Sequence, residues 1–217
     1  MYPTIITFLA LFLKDIKPVI IIPMVGKIFL ILGPSGSGKG TVMAYLHQEF
    51  KDAVFPISCT TRSPRPGEHD GDVYYFLNRD EFQKKIDAGE FLEWAKVHND
   101  NMYGTLKKPI LDALAAGKIV IREVDMQGVE SIVKLLPRDQ VVSIFITAPS
   151  WENLRARILG RSKIPESELI QREKSFEREM GFSKKCDFVV MSEEGKIDEF
   201  CGETADIIKK VKSTTGE

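Results

Sequence analysis

The stretch GPSGSGKGT at 33–41 constrains this chain more than any other, because of what stands on either side of it. Before it, KIFLILG at 27–33 is an almost unbroken apolar run ending in glycine, the pattern of a parallel strand buried on both faces. After it, Val42, Leu46 and Phe50 recur at helical spacing within a predicted helix over 38–51. The stretch fits GxxxxGK between a strand and a helix, the context in which that spacing binds phosphate. Successive glycines let backbone N–H groups turn inward, and the helix N-terminus adds partial positive charge. Gly33, Pro34, Ser35, Gly36, Ser37, Gly38, Lys39, Gly40 and Thr41 therefore form a candidate triphosphate site, with Lys39 aimed at the β- and γ-phosphates. Where a Ser or Thr usually follows the lysine to hold Mg²⁺, this chain has Gly40, with Thr41 one place later. The metal is then expected to be held mainly by phosphates and waters. Asp125, at the end of the apolar strand IVIREVD, is available through water, although an aspartate at a strand end also serves as a helix cap.

Strand and helix signals alternate along the rest of the chain. AVFPIS at 53–58 is predicted as a second strand, and VYYFL, GEFLEWAKV and MYGT, around the helix RDEFQKKIDAG, as a small mixed lobe. Helices are then expected at 109–117, 127–136, 150–160 and 196–212, and strands at 118–125, 141–148 and 186–190. The charged segment at 161–181 should become helical after Pro165. This order predicts an α/β fold: a P-loop core with a parallel sheet flanked by helices, plus an inserted lobe.

Lysine and arginine total 30 against 31 acidic residues, a net charge of −1, so attraction of the whole protein to nucleic acid is not indicated. Cys59, Cys186 and Cys201 are odd in number and lack CxxC spacing, which reads as free thiols in a reducing, cytoplasmic setting. His47, His69 and His98 stand singly and suggest no metal cluster. At the N-terminus ITFLALFL is apolar but is interrupted by Lys14, Asp15, Lys17 and Pro18. It falls short of the roughly 20 apolar residues that span a bilayer, and no basic residue precedes it as in a secretory signal. Residues 1–23 are expected to be a non-catalytic extension, with Met24 an ordinary domain start, and membrane association is not expected.

A triphosphate site leaves SCTTRSPRPGE at 58–68 unexplained. Pro64 and Pro66 stiffen this loop, which presents Arg62 and Arg65 three positions apart as a second anion clamp. Tyrosines 74, 75 and 103 in the same lobe can complete a phosphate shell. At this point a resemblance becomes specific. SCTTRSPRPGEHDGDVYYF, FLEWA, YGT and EVDMQG, in order behind GPSGSGKGT, closely resemble the guanylate kinases from about residue 25 to about 190. The resemblance implies a GMP-binding lobe over 58–106, a helical lid over 155–182 and a core of 24–57, 107–154 and 183–217, within one domain spanning 24–217. It implies Mg²⁺-dependent transfer from ATP to GMP, and to dGMP, giving ADP and GDP. Arg62, Arg65, Tyr74 and Tyr103 would hold the GMP phosphate, and Ser58, Glu93, Thr105 and Asp125 would face guanine. Arg157, Arg161 and Arg172 would close on the transferring phosphoryl group, whereas Arg155 reads as a solvated helix residue. For Glu93 the chemistry agrees independently, since a carboxylate can accept from guanine N1–H and N2–H₂ and adenine has no such pair.

The chain departs from the family pattern at four places. GRS at 160–162 stands for GRG, and MSEEG at 191–195 replaces the usual NDD. The loop before Tyr103 is about one residue longer than is common, with Met102 where a second tyrosine is frequent, and Arg122 interrupts a strand where leucine is usual. A non-catalytic guanylate-kinase-like scaffold module would lose P-loop and lid residues, but Lys39, Arg157, Arg161 and Arg172 are all present. A kinase for another monophosphate fits the Ser58/Glu93 pair poorly, and a P-loop GTPase has no use for the arginine clamp. Sequence leaves the oligomeric state open between monomer and homodimer.

Overall fold

A computed structural model describes residues 26–96, 100–161 and 164–213; the N-terminal extension expected over 1–23 lies outside them. Its centre is strand β1 (Lys27–Leu32). Ile28, Leu30 and Leu32 of β1 enter one core with Ile110, Leu114, Val129 and Ile132. Phe29 and Ile31 enter the opposite core with Val42, Leu46, Phe200 and Ile208. Every apolar residue of β1 is thus buried, each contributing about 1.5–3 kcal/mol relative to exposure. The alternation that marks a one-sided strand is absent because both faces are covered.

In chain order the remaining elements are α1 (Lys39–Glu49), β2 (Ser58–Thr60), β3 (Tyr74–Phe76), α2 (Arg79–Asp87), β4 (Phe91–Lys96) and β5 (Met102–Leu106). Then follow α3 (Lys107–Ala115), β6 (Ile119–Glu123), α4 (Met126–Leu135), β7 (Val141–Thr147), α5 (Trp151–Arg161), α6 (Glu166–Ser183), β8 (Phe188–Met191) and α7 (Ile197–Ser213). The first sheet has the order β6-β1-β7-β8 and is parallel throughout. Helices α3 and α4 cover one face, and α1 and α7 the other. Because β6 and β7 flank β1 on opposite sides, the chain reverses direction across the sheet there. A crevice opens at the carboxyl ends of strands placed in this way.

The second sheet has the order β3-β2-β5-β4, with β2 and β3 parallel and β5 antiparallel to both β2 and β4. Its own core is small: Cys59, Phe82 and Phe91, with the two phenyl rings stacked at 4.4 Å. Helix α2 starts in a capping box, Asn78 accepting from the Glu81 N–H while the Glu81 carboxylate accepts from the Asn78 N–H.

One expected element is corrected. Residues 53–58 do not form a strand; Val54 alone bridges to Val120, through N–H···O bonds of 2.8 and 2.9 Å. Pro56 has no N–H to donate, which ends the ladder, and the chain re-enters a sheet only at Ser58, in the other sheet.

Candidate active site

The P-loop geometry follows from its glycines. Gly33 has φ 144°, and a Cβ there would lie 2.0 Å from the Ile146 carbonyl oxygen, so no other residue lets the loop pass so close to β7. Gly38, at φ 97°, occupies the left-handed region as the N-cap of α1, turning the chain into the helix at Lys39. Lys39 Nζ donates to the Gly33 and Pro34 carbonyls at 2.8 and 3.1 Å. It also lies 3.8 Å from the Glu123 carboxylate. Gly40 is different: nothing lies within 4 Å of a Cβ placed on it, so space does not explain the missing hydroxyl.

Asp125 caps α4, its Oδ1 accepting from the Gly128 N–H at 2.7 Å. Of its three sequence readings (metal through water, guanine side and helix cap), the cap is the one the structure displays. The acid facing the P-loop lysine is Glu123, a residue that no sequence motif singles out. Thr41 and Glu123 border a hollow beside Lys39, offering a hydroxyl and a carboxylate.

A cleft of about 1000 Å³ joins this loop to the second sheet. Its wall includes Gly33, Ser35, Lys39, Ser58, Tyr74, Glu93, Tyr103 and Asp125. Residues assigned separately to a triphosphate and to a monophosphate therefore share one cavity. Thr105 is fully buried behind Glu93 and donates to Glu93 Oε1 at 2.7 Å. Arg122 donates to the same oxygen at 2.8 Å and lies 3.4 Å from Ser58 Oγ. Burial lowers the Arg122 pKa, with the Glu93 charge opposing.

Arg62 and Arg65 are not part of the cleft wall. Both terminal guanidinium nitrogens of Arg62 donate to the Glu68 carboxylate, at 2.9 and 3.0 Å, and the group stacks 5.4 Å from the Tyr74 ring centre. The Glu68 bond, then the Tyr103 hydroxyl, raise the Arg62 pKa. Arg65 contributes its backbone N–H to Glu68 at 2.8 Å, leaving its side chain on the surface. Glu68 is a residue that sequence reasoning missed. It stands six positions from Arg62, and the turn closed by Glu68 N–H on the Arg65 carbonyl brings it back.

Arg157 reaches the loop after β8, donating to Ser192 Oγ at 2.8 Å and to its carbonyl at 2.7 Å. Ser192 belongs to the divergent MSEEG segment, which thus keeps a partner for the arginine. Arg172 donates to Ser35 Oγ of the P-loop at 2.6 Å and is braced by Glu168 at 2.7 Å. Arg161 ends α5; its side chain lies outside the described residues. Glu179, two turns beyond Arg172 on α6, also lines the cleft, with Oε2 buried and unpaired. Burial raises its pKa, against the nearby positive charge of Lys39.

The guanylate kinase family model matches residues 25–211. A guanylate kinase of Corynebacterium diphtheriae is 42% identical over 78% of this chain and 88% of its own length. One of Caldanaerobacter subterraneus subsp. tengcongensis is 43% identical over 78% of this chain and 81% of its own. The crystal structure of guanylate kinase from Anaplasma phagocytophilum superposes with a TM-score of 0.65 at 30% identity, covering 86% of each chain. With its P-loop and second-sheet carboxylate in one cleft, and arginines of α5 and α6 reaching the P-loop, the chain belongs to the guanylate kinase family.

Proposed function

We propose that this protein is an ATP:GMP phosphotransferase, converting GMP, and dGMP, to the diphosphate with Mg²⁺. One observation carries the reading: the P-loop lysine and the guanine-side residues Ser58, Glu93 and Asp125 meet in one cleft. A donor triphosphate and an acceptor monophosphate can therefore lie end to end within it. In the transfer, a GMP phosphate oxygen forms a bond to the γ-phosphorus as the bond to the β,γ-bridging oxygen breaks, and ADP leaves. Lys39 holds the donor's phosphates. Arg157 and Arg172, already anchored at the P-loop side, supply positive charge where the transition state spreads negative charge over the phosphoryl oxygens. Arg161 takes the same role from the end of α5. Tyr74, Tyr103, Arg62 and Arg65 receive the acceptor phosphate, which must replace Glu68 on the Arg62 fork.

Thr41 and Glu123 are hard oxygen donors beside Lys39, a set suited to Mg²⁺ shared with nucleotide phosphates and waters. When bound with ATP, the ion neutralises charge on the β- and γ-phosphates. Asp125 contributes at most through water, since one of its oxygens caps α4.

In domain terms, 24–217 is the catalytic unit, with 58–106 the GMP-binding lobe, 155–182 the lid and 1–23 non-catalytic. A protein beginning at Met24 should keep full activity; loss of turnover would make 1–23 part of the enzyme. Among the described residues no helix is long and apolar enough to cross a membrane. Three free thiols fit a reducing, cytoplasmic setting. The test of function is a coupled ADP-release assay with GMP, AMP, CMP and UMP. Turnover with GMP well above the others is expected, and equal rates or none would refute the proposal.

A further inference from the structure

Arg122 is the residue that neither the fold nor the proposed chemistry requires. It sits in β6 opposite Leu30 of β1, as the one charged residue among the apolar Ile119, Val120 and Ile121 that precede it, and it is 8% exposed. Its side-chain hydrogen-bond partners, Ser58 and Glu93, both belong to the second sheet. One terminal nitrogen donates to Glu93 Oε1 and approaches Ser58 Oγ, while Nε is buried with no partner. Arginine buried in a core strand is costly unless its donors are used. Arg122 is part of the cleft wall, where a bound ligand can supply a further acceptor.

The arrangement also changes what Glu93 can do. Thr105 and Arg122 both donate to Oε1, so the two in-plane lone pairs of that oxygen are engaged. Oε2 takes no hydrogen bond among the described residues and is left for the ligand. A carboxylate held in this way reads a base edge with one oxygen rather than two. Beside it stands a fixed cation with unused N–H groups.

We propose that Arg122 is a specificity-determining residue that reads the 6-oxo group of the purine, donating to O6 next to Ser58 while Glu93 Oε2 accepts from N1–H. This assignment rests on the GMP reading above. Arginine opposite guanine O6 is a favoured pairing wherever base edges are read. Adenine would set its N6–H₂ donors against the Arg122 donors and its N1 lone pair against the carboxylate. Because Oε1 is taken, the 2-amino group should count for less than the 6-oxo group. IMP, which keeps O6 and N1–H but lacks the 2-amino group, should therefore be a closer competitor of GMP than 6-thio-GMP, whose sulfur is a weak acceptor.

The experiment compares wild type, Arg122→Met and Arg122→Lys by steady-state kinetics with GMP, IMP, AMP and 6-thio-GMP, and by calorimetric GMP binding. In wild type, the order GMP, IMP, 6-thio-GMP, AMP is expected. In Arg122→Met, KM for GMP should rise about tenfold or more, more than kcat falls. Its preference for GMP over 6-thio-GMP should shrink by a similar factor. Arg122→Lys, which keeps charge but not the fork, should recover part of both. If Arg122→Met melts before assay, the GMP/6-thio-GMP ratio in Arg122→Lys decides, and an unchanged ratio overturns the proposal. An equal loss with every nucleotide would mean that Arg122 only braces the two sheets, and would also overturn it. Wild type that fails to phosphorylate GMP would instead sink the functional reading itself.

Discussion

At the scale of single residues, Lys39 and Arg65 should fail in different ways. Lys39→Ala removes the charge at the donor phosphates, so turnover should vanish while calorimetric GMP affinity survives. Arg65→Ala leaves Lys39 intact but removes a charge-assisted contact, weakening GMP by about 1.5–3 kcal/mol. Unchanged GMP affinity in Arg65→Ala would take that arginine out of the clamp. Glu93→Gln tests the base. The glutamine oxygen can still accept from Thr105 and Arg122, which fixes its amide with NH₂ in the place of Oε2. That NH₂ would meet guanine N1–H donor to donor and suit adenine N1 better. GMP efficiency should fall at least about tenfold, roughly 1.4 kcal/mol, and the GMP/AMP ratio should narrow. Retention of wild-type selectivity would leave Ser58 and Arg122 to read the base without it. Lys39 was legible because GxxxxGK between a strand and a helix has one chemical use, whereas Glu93 and the arginines of α5 and α6 were singled out through the family resemblance. Glu68 and Glu123 were not, since an acid beside a basic loop or at a strand end has many uses and only the fold says which cation it faces. Arg122 was visible as an anomaly, but its partners are 29 and 64 residues away in sequence.

Elements were legible where their period was strong and illegible where pairing decided. The runs for β1 and β7 are too apolar to be anything but buried strands, whereas AVFPIS has strand composition but pairs with the parallel sheet only at Val54, its last residue already belonging to β2. Its proline outweighs its propensity. At the far edge of the parallel sheet β8 is held to β7 by more than its ladder. Asp187 Oδ2 accepts from the Ser143 N–H and hydroxyl at 2.8 and 2.7 Å, and Oδ1 pairs with Arg138. Partial burial pushes the Asp187 pKa up, but Ser143 and Arg138 together outweigh it, so the net shift is downward. A carboxylate depressed in the folded state adds stability that is complete above the unfolded value, near 3.9, and is lost as pH falls through the folded value. Asp187→Ala should therefore cost about 1–2 kcal/mol in urea unfolding at pH 7, toward the low end because Arg138 is exposed. The difference from wild type should shrink below about pH 4. A constant difference down to pH 2 would mean that the loss comes from packing and not from the charge.

At the scale of the whole molecule the two sheets differ in how much core they own. The parallel sheet is buried between two large apolar clusters, whereas the second sheet encloses only Cys59, Phe82 and Phe91 fully. What ties the second sheet down is Leu92, which enters a parallel-sheet cluster, and the Arg122–Glu93 bridge. A unit with so little core of its own should open at a lower free energy than the rest. The three thiols can report this, because Cys59 lies in the small core, Cys186 just before β8 and Cys201 in the α1–α7 core. Burial pushes Cys59 and Cys186 up to about 11 and raises Cys201, so none should alkylate readily near pH 8 while folded. In pulsed alkylation along a urea gradient, read by mass spectrometry, Cys59 should label first, before Cys186 and Cys201. Adding GMP should move the Cys59 transition toward the other two, since a ligand bound between the sheets stabilises only the state in which both are in place. Coincident labelling of Cys59 and Cys201 without nucleotide would show that Leu92 and the buried ion pair already couple the sheets into one cooperative unit. Guanine recognition would then be built on a rigid frame, with no opening of the second sheet ahead of global unfolding.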